Sequence, residues 1–139
     1  MYSLIEPYIV LDNGQASEAV AFYQAVFDAK LKGMFRLGDM PENPSQPLSP
    51  EMKQLVGDSE LDLQGTILHV SDMQSAGKTH DGHISLMIYL NTEEEHKRVY
   101  EMLKTGGEIL TEISPQPFAK MYAWVKDKFG VSWQLMYNG

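Results

Sequence analysis

The sequence predicts an α+β fold made of two βαβββ modules in tandem, related by pseudo-twofold symmetry. Three observations point to it. Each half runs from a short β-type segment into an amphipathic helix and on to three further strand-like segments. LDNGQASEAVAFYQAVFDAKL (11–31) matches LNTEEEHKRVYEMLKTGGEIL (90–110) in pattern, and GTILHVS (65–71) lies on GVSWQLM (130–136) without a gap. A chain of 139 residues buries roughly two-thirds of its unfolded surface, the core of one domain or of two small fused halves. The expected boundaries are about 1–72 for module 1, 73–82 for a connector and 83–139 for module 2, all within a single domain spanning 1–139.

Taken in order, Pro7 to Leu11 (PYIVL) is a short β run, punctuated by Asn13-Gly14. Ala16, Ala19, Val20, Tyr23, Val26 and Phe27 then follow the spacing of one helical face. Leu31 to Leu37 reads as a strand. DMPENPSQPLSP (39–50) holds four of the seven prolines and is a loop, because Pro lacks the donor that a ladder needs. Val56 to Leu63 and Thr66 to Ser71 form a hairpin around Gln64-Gly65, and the small, polar stretch MQSAGKTHDG (73–82) connects to the second half.

There, His83 to Leu90 is a strand, and Thr92 with Glu95 three residues on signals a capped helix start, with Glu93 to Glu95 complementing the helix dipole. Val99, Tyr100 and Leu103 give that helix an apolar stripe, and Gly106-Gly107 stops it. Glu108 to Ile113, Lys120 to Lys126 and Val131 to Tyr137 are three strands, the last pair turned at Phe129-Gly130.

Strand alternation sorts the faces. Ile9, Leu11, Ile84, Leu86, Ile88 and Leu90 are expected under the helices, together with Leu68, Val70, Trp133 and Leu135. Tyr8, Val10, His83, Ser85, Met87, Tyr89, Ile67, His69, Ser71, Ser132, Gln134 and Met136 then share the opposite faces, expected to curve round a common cavity. Asp58 and Glu60 lie on one side of their strand and read as its wet face, with Leu61 and Leu63 on the buried one; Glu60 is the candidate general base if that face turns inward. His80 and His96 read as surface residues.

Nineteen acidic against eleven basic residues give a net charge of −8, which repels nucleic acid and anionic lipid. No apolar run approaches the ~20 residues that cross a bilayer, the N-terminus lacks a basic secretory n-region, and zero cysteines exclude disulfides and thiolate metal sites. A cytoplasmic protein is expected. Residues 1–72 hold four basic and eleven acidic residues, net −7, and residues 73–139 hold seven and eight, net −1, a skew that favours cationic ligands.

PYIVLDNGQASEAVAFYQAVFDAKL, SELDLQGTILHVSD, ISLMIYLNTEEE and above all DKFGVSWQLMY resemble the PhnB-like branch of the vicinal oxygen chelate superfamily, which includes glyoxalases, extradiol dioxygenases and bleomycin-resistance proteins. The resemblance implies curved mixed sheets around a cavity and often a homodimer. It also implies, in members that catalyse, one divalent ion (zinc, nickel, manganese or iron) with ligands from the first and last strand of each module. Those positions fall on His69 and Gln134 in the last strands, near Tyr8 in the first strand of module 1, and on His83, Ser85 or Met87 in module 2. His69 and His83 are the candidate metal ligands. Tyr8, His69, His83, Tyr89, Tyr122, Gln134 and Met136 are the candidate ligand-binding residues.

The branch has also carried a ubiquinone methyltransferase label. No Gly-rich turn that would cradle the cofactor of a SAM-dependent methyltransferase follows any strand. Three readings remain. The first is a small-molecule binding protein without a tightly held metal. The second is a metal-dependent lyase, isomerase or dioxygenase acting on a substrate with vicinal oxygens. The third is a structural dimer with no active site.

Overall fold

The computed structural model describes residues 6–12, 14–72 and 84–139, and every strand and helix among them belongs to one of two units, Met1–Thr79 or His80–Gly139. In the first unit the elements are β1 (Tyr8–Leu11), α1 (Ala16–Phe27), β2 (Lys30–Arg36), a 3-10 turn (Leu37–Asp39), α2 (Pro50–Lys53), β3 (Val56–Leu63) and β4 (Thr66–Asp72). The second has β5 (Leu86–Tyr89), α3 (Glu93–Lys104), β6 (Glu108–Gln116), β7 (Ala119–Lys126) and β8 (Ser132–Tyr137). The sheets repeat one topology, β1-β4-β3-β2 and β5-β8-β7-β6. In each, the first strand pairs in parallel with the last and the other neighbours are antiparallel. The α+β class and the two βαβββ modules are therefore as the sequence predicts.

Each helix covers one sheet face because its apolar stripe requires it. Ala16, Ala19, Val20, Tyr23 and Val26 of α1 are buried against the sheet that carries Leu61, Leu68 and Val70. In the second unit Val99 and Leu103 of α3 are buried with Val125, Trp133 and Leu135. Each Val and Leu among these side chains contributes about 1.5–3 kcal/mol on leaving water. Thr92 Oγ1 accepts from Glu95 N–H at 3.1 Å, and Gly106 at φ +77 reverses the chain after α3, as their residue types predict.

Two buried carboxylates tie backbone ends together. Asp72 at the end of β4 accepts from Ala16 N–H at 2.9 Å and from Val56 N–H at 2.8 Å, so it caps the first turn of α1 and the start of β3 at once. Asp127 accepts from Phe129 and Val131 N–H at 2.9 and 3.0 Å through Oδ1 and from Trp133 Nε1–H at 2.9 Å through Oδ2. Donors without a ladder partner need such an acceptor. This explains DKFGVSW: the Asp organises the turn and seats the Trp in the helix-facing core.

Several expectations are corrected. His96 is fully buried, its ring Nε2 donating to Leu135 O at 3.0 Å, because 96, 99, 100 and 103 form the i, i+3, i+4, i+7 stripe of α3 and His takes its first place. Ile84 is 82% exposed and packs under no helix, since β5 starts only at Leu86. β6 continues through Pro115 to Gln116, which Pro permits on the outermost strand of a sheet. The short α2 follows from Ser49, whose Oγ accepts from Met52 N–H, with Pro50 at the first helical position. His80, His83 and the connector 73–82 lie outside the described residues. Among the described residues no helix is long and apolar enough to cross a membrane.

Candidate functional site

Each sheet leaves the face opposite its helix to polar and aromatic side chains, and ladder register decides which of them meet. In the first unit Tyr8 of β1 pairs with His69 of β4, which pairs with Glu60 of β3. The three side chains therefore form one row across the sheet. Asp58, two residues before Glu60, is the diagonal neighbour of His69. Pro7 O accepts from His69 N–H at 3.0 Å, which extends the pairing upstream and brings Glu6 to the same face.

His69 is held from both sides. Its Nε2 lies 2.8 Å from Glu6 Oε1 and its Nδ1 lies 3.2 Å from Asp58 Oδ1, while the Tyr8 ring stacks on it at 5.2 Å with an interplanar angle of 13°. Ionised carboxylates only accept, so once protonated the ring donates from both nitrogens, one to each carboxylate. The bond to Glu6 chiefly raises its pKa above the ordinary 6.5, Asp58 adds to this, and partial burial opposes it. Asp58, Glu60 and His69 each offer an atom within 4.8 Å of the others, a group of metal-ligand type. Glu60 is exposed, as read from the sequence; Asp58 is half-buried and turned to His69.

In the second unit the matching row is Met87 of β5, Gln134 of β8 and Trp124 of β7. Of the three positions left open for the first-strand ligand, register sets Met87 opposite Gln134, while Ser85 reaches it by side chain. Gln134 Nε2 donates to Ser85 Oγ at 2.7 Å and Gln134 Oε1 accepts from Tyr122 Oη–H at 2.7 Å. Burial raises the Tyr122 pKa, so the phenol stays protonated. Tyr122 and Met136 are buried with Ala119, and Trp124 packs against them. Tyr8 and Tyr89 are by contrast 51% and 66% exposed.

Sequence reading missed Glu6 and Asp58 as partners of His69. Period-two counting back from Tyr8 places Glu6 on its face and counting back from Glu60 places Asp58 there, a usable signal. The Ser85–Gln134 bond has no such signal, since 49 residues separate the pair.

Fold and strand order together define the class: the paired βαβββ modules are those of vicinal oxygen chelate proteins. A solved glyoxylase/bleomycin resistance protein/dioxygenase domain from Frankia sp. EAN1pec shares the fold at a TM-score of 0.67 and 13% identity, over 100% of this chain and 93% of that one. Within the class, the chain belongs to the PhnB-like family described as 3-demethylubiquinone-9 3-methyltransferase, which it matches over residues 4–136. It is 27% identical to Protein YjdN of Escherichia coli (strain K12), over 94% of this chain and 92% of that protein. It is also similar to the solved Bacillus cereus protein described as a putative 3-demethylubiquinone-9 3-methyltransferase, PhnB protein, at 28% identity and a TM-score of 0.80, over 97% and 99% of the two chains.

Proposed function

We propose that the protein binds a small molecule on the helix-free faces of its sheets and holds no metal ion tightly in doing so. One observation carries this. The two last-strand positions that would ligate a metal, His69 and Gln134, both have their polar atoms engaged within their own unit: His69 by Glu6 and Asp58, Gln134 by Ser85 and Tyr122. An ion would have to displace a carboxylate at His69, and a proton wherever the ring carries one, and at Gln134 it would meet an amide, a poor ligand.

What each face offers suits an organic ligand. Glu6, Asp58 and Glu60 around one histidine leave negative charge beside the exposed Tyr8 ring, a setting for a cationic group over an aromatic face. The family's methyltransferase description does not fit these sheets. Each has a single parallel pair, and the β1-to-α1 turn carries one glycine, Gly14, where a nucleotide-type cofactor needs several. A homodimer is part of this reading, by analogy with the superfamily, and sedimentation equilibrium measures it.

The test is elemental analysis of untreated protein, then thermal shift with Zn²⁺, Ni²⁺, Mn²⁺ and Fe²⁺ beside a panel of small metabolites and antibiotics. The reading expects little change with the ions and a shift of several degrees with an organic cation. The Asp58, Glu60 and His69 group favours a second reading, a divalent-metal-dependent lyase, isomerase or dioxygenase. Stabilisation by an ion that disappears in His69→Ala would overturn the metal-free reading and favour that one instead.

A further inference from the structure

We infer that Ser85 and Gln134 form a two-donor notch that recognises a neutral oxygen acceptor, a ketone, ester or amide carbonyl, on the small molecule proposed above. The inference rests on that reading and adds the chemistry of one subsite.

The hydrogen bonds of the second unit run in one direction. Tyr122 Oη–H donates to Gln134 Oε1, and Gln134 Nε2 donates to Ser85 Oγ, each at 2.7 Å. A primary amide has two N–H donors and a serine hydroxyl has one. One amide N–H is engaged by Ser85, which leaves the second N–H of Gln134 and the O–H of Ser85 with no acceptor among the described residues. Both residues are half-buried, so an unmade bond there costs more than at an open surface.

The surroundings select the acceptor. Trp124 Nε1–H is held by Ser132 Oγ at 2.7 Å and does not compete. Ala119, Tyr122 and Met136 with Trp124 supply apolar and aromatic wall, and Phe118, 55% exposed, stands edge-on to Tyr122 at 5.1 Å. The row Met87, Gln134 and Trp124 carries no charged side chain, so nothing there pairs with a full charge. Two neighbouring neutral donors beside aromatic carbon fit a carbonyl conjugated to a flat ring. The first unit, with three carboxylates about one histidine, offers the opposite chemistry.

Acetophenone and α-methylstyrene test this on the full chain, because they share shape and differ in C=O against C=CH₂. Binding is followed by NMR titration of the Met136 methyl and the Trp124 indole N–H. Acetophenone is expected to bind about three- to tenfold more tightly, the range for one or two hydrogen bonds to a neutral acceptor. Ser85→Ala should erase that preference and Ser85→Thr, which keeps the hydroxyl, should retain it; the conservative variant guards against loss of fold. Equal binding of both probes overturns the notch and leaves the small-molecule reading standing. A preference that survives Ser85→Ala also overturns the notch. If neither probe shifts Met136 or Trp124, the notch falls, and the small-molecule reading falls with it for this face.

Discussion

Removing the carboxylate of Asp127 should unseat the second unit. Asp127→Ala deprives Phe129 N–H, Val131 N–H and Trp133 Nε1–H of their acceptor at one stroke. Bonds to a charged acceptor contribute about 1.5–3 kcal/mol each; those to Phe129 and Trp133 are buried and that to Val131 is part-buried. Taking the low end for each, and subtracting the cost of burying the carboxylate itself, gives a loss of about 3–4 kcal/mol. That is a large part of the 5–15 kcal/mol typical of a whole domain, and it corresponds to a fall in Tm of about 10 °C. Asp127→Asn keeps one oxygen for the turn and sets an amide NH₂ against Trp133 Nε1–H, so about 1–3 kcal/mol should go. Both tryptophans, Trp124 and Trp133, lie in this unit, so urea denaturation followed by intrinsic fluorescence reports on it, and far-UV circular dichroism covers the whole chain. A loss below about 1 kcal/mol for Asp127→Ala, with unaltered tryptophan emission, would refute the role assigned to this carboxylate.

Burial holds the pKa of His96 below the ordinary 6.5, outweighing its bond to Leu135 O, so the unfolded chain takes up the proton first. Its contribution is complete above pH 6.5 and declines as pH falls through the folded value, by up to about 1.4 kcal/mol per unit; urea midpoints between pH 7.5 and 5 should drop more in wild type than in His96→Gln. For His69 the sign is opposite: stabilisation is complete below 6.5 and is lost as pH rises through the raised folded value. Glu6→Gln removes the largest cause of that rise, and NMR titration of the ring should show His69 deprotonating at lower pH than in wild type. Gly107→Ala would drive a Cβ into Lys126 O and should cost about 2–3 kcal/mol by chemical denaturation, whereas at Gly33 nothing lies within 4 Å and the same change should be near neutral.

Much of this architecture was legible in residue order. The α1 stripe, the Thr92 cap and the bounds of β3 follow from local spacing and from side chains acting on their own backbone, so a window of a few residues contains the cause. The same holds for the matching of His69 with Gln134, since an ungapped repeat places both at the centre of a last strand. His96 shows the limit of that reasoning: its polarity argued for water, while its place on the helix argued for the core, and the cost of a gap in the stripe decided for the core.

By itself, then, the sequence determined the class and the two βαβββ modules, because alternation and helical periodicity are local properties of the chain. Only the tertiary structure decided that Glu6 meets His69 across 63 residues, that Ser85 meets Gln134 across 49, and that Met87 stands opposite Gln134. Those meetings depend on the register of parallel strands brought together by a long connection, and a slip of one residue would turn every such side chain to the other face.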